Sequence, residues 1–208
     1  LTLLRRVNIR PGQRVLINGA SGGIGAAMVQ LAKQQGAHVT GVCGTARLEY
    51  VRSLGADRVI DYSQTDFTQN GETYDLIVDI LGRSSFARCK DSLNPNGVYF
   101  PVSFKMKALL QMVWTKMFGT QKVICALSDE KPADLEVIRE LIEAGNYTAS
   151  VDRCFAMEDA AAAHRYVESG HKQGNVVVLL SQQNALSEKR RQPGSAKGIL
   201  TVLSEDFV

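Results

Sequence analysis

The chain has 208 residues, 45% of them apolar and 22% charged, with a formal net charge of +3. That length can bury one sizeable core, and the balance is ordinary for a globular protein. No apolar run reaches the roughly 20 residues that a membrane helix needs, and so small a positive excess gives no reason to expect nucleic acid as a partner.

Residue 1 is a leucine, and LTLLRRVNI reads as the end of an amphipathic helix. A trimmed stretch of a longer chain is therefore expected, with any targeting segment outside it. From residue 14 short apolar runs alternate with helical patterns. RVLIN (14 to 18), HVTGVC (38 to 43), RVID (58 to 61), DLIVDI (75 to 80), GVYFPV (97 to 102) and KVICAL (122 to 127) read as strands buried on both faces. Between the first two, Ile24, Ala27, Met28 and Leu31 recur at helical spacing, and Gly36 can close that helix in a left-handed conformation. LEYVRSLGA supplies a second crossover helix. Repeated strand, helix, strand units predict a parallel sheet with helices on both faces, the doubly wound α/β architecture of Rossmann type.

Further along, Met106, Leu109, Leu110, Val113, Trp114, Met117 and Phe118 form an apolar stripe opposite Lys105, Lys107 and Lys116. The stripe is expected to pack into the core or a cleft, with a membrane-surface helix as the weaker alternative. After the helical DLEVIRELIEAG come VDRCF, MEDAAAAHRYVESG and NVVVLL, a second strand, helix, strand set. A boundary within 128 to 145 is expected, dividing a dinucleotide-binding domain (1 to 128) from a C-terminal return (129 to 181). Residues 182 to 208, with Lys189, Arg190 and Arg191, read as a solvated tail. The four cysteines, Cys43, Cys89, Cys125 and Cys154, have no metal-site spacing and read as reduced, mostly buried thiols of a cytoplasmic protein.

The informative motif is INGASGGIG, residues 17 to 25. Bounded by a strand and a helix, its turn offers backbone N–H groups and the positive helix end to a phosphate. Glycine at 22 lets backbone approach a pyrophosphate, and glycine at 25 lets the helix pack close to the strand. Ala20, Gly22 and Gly25 fit AxGxxG, with Ser21, Gly23 and Ile24 completing the loop. Gly19, Gly23 and Gly25 equally fit the GxxxGxG of short-chain dehydrogenases, whose proton donor comes from a YxxxK pair. Four residues after Tyr50, Tyr62, Tyr74, Tyr99, Tyr147 and Tyr166 stand Leu54, Asp66, Val78, Ser103, Val151 and Gly170, so that chemistry is missing.

From PGQRVLINGASGGIG through LGADRVIDY, YDLIVDILG and SLNPNGVY to AAAAHRYVESGHKQGNVVVL, residues 10 to 180 resemble the medium-chain dehydrogenase/reductases. Within them the chain most resembles the zinc-free quinone oxidoreductase and zeta-crystallin-like branch. The resemblance implies an N-terminal substrate domain that this stretch lacks, and a return segment belonging to that incomplete second domain. It also implies homodimerisation through the sheet edge KVICAL.

No carboxylate follows HVTGVC. Gly44, Thr45, Ala46 and Arg47 stand there, so Thr45 and Arg47 are expected to receive a 2′-phosphate, and NADP(H) is the expected cofactor. Tyr62 matches a tyrosine beside that phosphate in similar reductases. By resemblance Ile80, Leu81 and Gly82 pass near the nicotinamide ribose, and Val102, Ser103 and Phe104 near the nicotinamide. Asn175 in GHKQGN stands where relatives often carry lysine. No catalytic side chain and no metal ligand is identified, and His38, His164 and His171 are isolated. The expected function is NADPH-dependent reduction of a quinone, enone or related carbonyl small molecule, with little activity from this stretch alone. Three alternatives are kept: a non-catalytic NADPH-binding module, a zinc alcohol dehydrogenase whose ligands lie outside the stretch, and, disfavoured for want of a ribose-binding acid, a methyltransferase.

Overall fold

The computed structural model describes residues 6–103, 106–126 and 131–180. The tail 182 to 208 and Phe104 lie outside them. Strands β1 (Arg14–Asn18), β2 (His38–Cys43), β3 (Arg58–Asp61), β4 (Tyr74–Asp79), β5 (Leu93–Pro101) and β6 (Lys122–Val123) form one parallel sheet in the order β3-β2-β1-β4-β5-β6. This is the doubly wound order, and the chain reverses direction across the sheet between β1 and β4. Ligands of such sheets bind outside the carboxyl ends of the strands at that reversal.

Strand β1 shows why the sheet is buried on both sides. Val15 and Ile17 enter one apolar cluster and Leu16 enters the other, all fully buried. The period of two sends alternate residues to opposite faces, and helices cover each face. Helix α1 (Gly23–Gln34) covers the first with Met28, Val29, Leu31 and Ala32. It ends as expected at Gly36, whose φ of +78° and the bonds Gly36 N–H to Lys33 (2.9 Å) and Ala37 N–H to Ala32 (3.1 Å) make a Schellman closure. The second crossover is a 3-10 turn (Thr45–Arg47) and a short helix α2 (Leu48–Ser53). Helix α3 (Phe86–Cys89) and helix α4 (Met106–Phe118) lie toward the second cluster.

Two expectations need correction. Of the described residues 122–126 in the run KVICAL, only Lys122–Val123 form a strand; the Ile124 N–H still donates to the Tyr99 carbonyl at 3.1 Å, and the Cys125 N–H meets the Met112 sulfur at 3.5 Å. The apolar stripe of α4 does not pack inward. Met106, Leu110, Val113, Trp114 and Met117 are exposed, between 56% and 72% of their surface open. The inward face is Met112 and Thr115, whose hydroxyl accepts the Val123 N–H at 3.1 Å. That bond satisfies a buried edge-strand donor, and the stripe lies on the other side of the helix.

Helix α5 (Pro132–Glu143) packs Ile138 and Leu141 on the first cluster, and Tyr147 beyond it packs there too. The return is a parallel pair, β7 (Val151–Ala156) and β8 (Asn175–Leu179), joined by helix α6 (Ala160–Glu168). Buried Gln30 of α1 ties it to the main sheet, accepting the Thr148 N–H at 2.8 Å and donating to the Thr148 carbonyl at 3.1 Å.

Candidate functional site

A cleft of about 530 Å³ opens at the carboxyl ends of β1, β2 and β4. Its floor is the glycine loop. Gly19 adopts φ +96°, a conformation open to glycine, and its N–H and that of Ala20 both donate to the Val42 carbonyl. The turn therefore hangs from β2 and delivers the chain to the start of α1. No side chain caps α1, so its first N–H groups are available to an anion placed in the cleft. A methyl group on Gly25 would lie 2.1 Å from the Gly19 carbonyl oxygen and 2.8 Å from Ala20 backbone. Gly25 and buried Ala20 thus set how closely α1 approaches the loop, while Ser21, Gly22, Gly23 and Ile24 line the cleft.

The return segment closes over this loop. The Gly174 N–H donates to the Ser21 carbonyl at 2.9 Å, and Gly22 bridges Gly174. Asn175 presses its amide oxygen against Gly23, and Val167, Gly170 and Lys172 complete the wall. Lys172 donates to the Gly174 carbonyl at 2.9 Å.

At the other end the wall is made of side chains. Arg47 and Tyr62 line the cleft beside Cys43 and Gly44, and Arg47 also donates to the Gly170 carbonyl. Thr45 does not line it. Its hydroxyl donates to Asp61 at 2.5 Å, and the same carboxylate accepts the Ser63 hydroxyl at 2.7 Å and the Ser63 N–H at 2.9 Å. A hydroxyl has one proton to give, so Thr45 offers no donor to a phosphate while it serves Asp61. No carboxylate lines the cleft, but one lies behind this corner, bonded to Thr45. In the parallel register Cys43 stands opposite Asp61, so the next strand supplies the acid that β2 lacks. Bonds from Thr45 and then Ser63 hold the Asp61 carboxyl below the usual range. Burial first, and the Asp61 charge second, push the Cys43 thiol up to about 11.

Between these ends Asn18 and Leu81 separate the main cleft from a smaller one of about 240 Å³. Asn18 donates to the fully buried Asp79 at 3.0 Å, which also accepts the Tyr99 hydroxyl at 3.0 Å and the Ser84 N–H at 3.0 Å. Burial, then the Asp79 charge, raises the Tyr99 pKa, so its hydroxyl stays a donor. Leu81 lines the cleft, whereas Gly82 and Ser103, which lie against each other, do not. Sequence reasoning did not single out Asn18, Asp61, Arg83 or Lys172. Asn18 ends the first strand just before the loop, which was the signal available for it.

A nicotinamide dinucleotide fits this arrangement, since the backbone cradle at Gly25 and the uncapped α1 start suit a pyrophosphate. Among the described residues no group of three or more His, Cys, Asp or Glu side chains is placed to hold a metal ion.

The fold and cleft define a dinucleotide-binding α/β protein, and comparison with known proteins gives the family. Residues 54–178 match the family model for zinc-binding dehydrogenases. The chain belongs to that family, within the medium-chain dehydrogenase/reductases, and is quinone-oxidoreductase-like. It is 30% identical over 197 residues to the trans-enoyl reductase pgmF of Aspergillus terreus, covering 87% of this chain and 55% of that protein. It is 31% identical over 173 residues to the chloroplastic quinone-oxidoreductase QR1 of Triphysaria versicolor, covering 81% and 53%. The structure of the quinone oxidoreductase from Coxiella burnetii superposes with a TM-score of 0.76 at 24% identity, over 86% of this chain and 56% of that one. The chain spans about half the length of these relatives.

Proposed function

We propose that this chain is the nucleotide-binding part of an NADPH-dependent oxidoreductase that reduces a quinone, enone or related carbonyl compound. The observation that carries the reading is the uncapped start of α1, set behind Gly22 to Gly25 at the reversal of the sheet and open to the cleft. The loop and α1 would hold the pyrophosphate, and Arg47 and Tyr62 the adenosine end. Arg47 is the cation that would meet a 2′-phosphate, through a guanidinium suited to phosphate oxygens. Leu81 and the Asn18 amide, fixed by Asp79, would wall the ribose and nicotinamide side. The bound cofactor would supply the hydride, and the chain's own residues orient it and exclude water. Fluorescence titration with NADPH and NADH tests the reading. Saturable binding of NADPH, tighter than NADH, is expected, and no binding of either would refute it.

A homodimer would cover the outer edge of β6 and the apolar face of α4 beside it. Replacing both Leu110 and Met117, exposed on that face, with glutamate is expected to give a monomer in sedimentation without loss of nucleotide binding.

A further inference from the structure

We propose that Asp61 is a specificity-determining residue that restrains this site's preference for NADPH over NADH; this rests on the cofactor reading above. Three observations carry it. Asp61 stands opposite Cys43 in the strand register, and Cys43 lines the cleft together with Arg47 and Tyr62. The Asp61 carboxylate is held ionised by Thr45 and Ser63. It also takes the one proton of Thr45, so the threonine closest to Gly44 shows the cleft no donor.

The corner therefore sets the Arg47 cation against the Asp61 anion, with Arg83 and Lys172 as further cations on the cleft wall. A 2′-phosphate placed against Arg47 gains from the guanidinium and loses to Asp61, whereas a ribose hydroxyl is indifferent to that opposition. Asp61 does not line the cleft, so it acts through its field and through Thr45, not by contact.

Asp61→Asn separates the two effects from the fold. The amide is isosteric, and its carbonyl oxygen can keep the two donors of Ser63. Its NH₂ then faces Thr45 and donates, so the threonine hydroxyl no longer gives its proton to residue 61 and has the Ser63 hydroxyl, at 3.2 Å, as its other neighbour.

The test is titration of the chain with NADPH and with NADH at low and at high salt. In D61N the ratio of NADPH to NADH affinity is expected to rise about tenfold at low salt, and by less at high salt, where exposed charges are screened. T45V alone should change the ratio less than about twofold, because its proton is already spent, whereas T45V added to D61N should remove part of the gain. D61S, shorter and uncharged, should move the ratio in the same direction and stands in if D61N does not fold. If both nucleotides bind and the ratio is the same in wild type and the Asp61 variants, the role of Asp61 is refuted and the cofactor reading stands. If the wild-type chain binds neither nucleotide, both are refuted.

Discussion

At one end of the cleft the wall is backbone, and at the other it is side chains. The glycine loop works through N–H groups and the close approach of α1, so its shape is set by what is missing from residues 19, 23 and 25. The corner at β2 and β3 works through Arg47, Tyr62, Thr45 and Asp61, whose protons and charges can be rearranged without moving the chain. The first kind of site is rigid and tolerates little. The second can be retuned by single substitutions, which suits a position that tells one cofactor from another.

The largest expected effect falls on the backbone end. Gly25→Val would drive its side chain into the Gly19 carbonyl and the Ala20 backbone, neither of which can swing aside. A loss of about 3 kcal/mol of stability is expected, at the upper end of overpacking costs. Thermal denaturation measures it, and nucleotide binding should vanish even where the variant stays folded. Wild-type stability in G25V would show that the loop is not held as tightly as the structure has it.

Next in size is Asp79→Ala, which sharpens the comparison because Asp79 braces the floor between the two ends. Its removal strands the Tyr99 hydroxyl, the Asn18 amide and the Ser84 N–H. A cost of about 2 kcal/mol is expected for donors left in a buried place, with D79N milder. Arg47→Ala follows. NADPH affinity should fall about tenfold and NADH affinity stay nearly level, the difference expected for one partly exposed charge-assisted contact. Equal losses for both nucleotides would mean that Arg47 serves the shared part of the cofactor, or only tethers Gly170.

How much of this was legible depends on where the partners lie in the chain. The loop, α1 and its Gly36 closure follow from spacing within about twenty residues, and the sheet order follows from the repeated crossovers. Asp61 could not be found by looking after β2. It arrives through the pairing of Cys43 with Asp61 across eighteen positions, a fact of register and not of motif. The closing turn at Gly170 to Asn175 comes from more than a hundred residues away. The rotation of α4 was hidden for a different reason: an apolar stripe reads alike whether it faces this chain's core or outward, and the Thr115 hydroxyl that meets the Val123 N–H gives no signal in the sequence.

Acid titration offers a smaller effect with a defined sign. The folded Asp61 carboxyl is depressed, so its charge is complete above about pH 5 and is lost only as the pH falls through the folded value. The difference in cofactor ratio between wild type and D61N should therefore be flat from about pH 5 upward and should shrink below it. A difference that fades near neutrality would point to another titrating group.

The smallest effect probes the wall itself. Cys43 lines the cleft yet is only 2% exposed, and its thiol is raised to about 11 by burial and, less, by Asp61. At pH 8 roughly one molecule in a thousand carries the thiolate, the form that reacts with iodoacetamide. Cys154, exposed on β7, should label far faster in peptide mass spectrometry. The Cys43 rate should climb about tenfold per pH unit up to pH 10, slow further with NADPH bound, and quicken a few-fold in D61N. The last change is small because burial outweighs the carboxylate's field. Its presence would still show that the charge of Asp61 reaches the cleft wall, and equal rates in wild type and D61N would confine that charge to the turn outside.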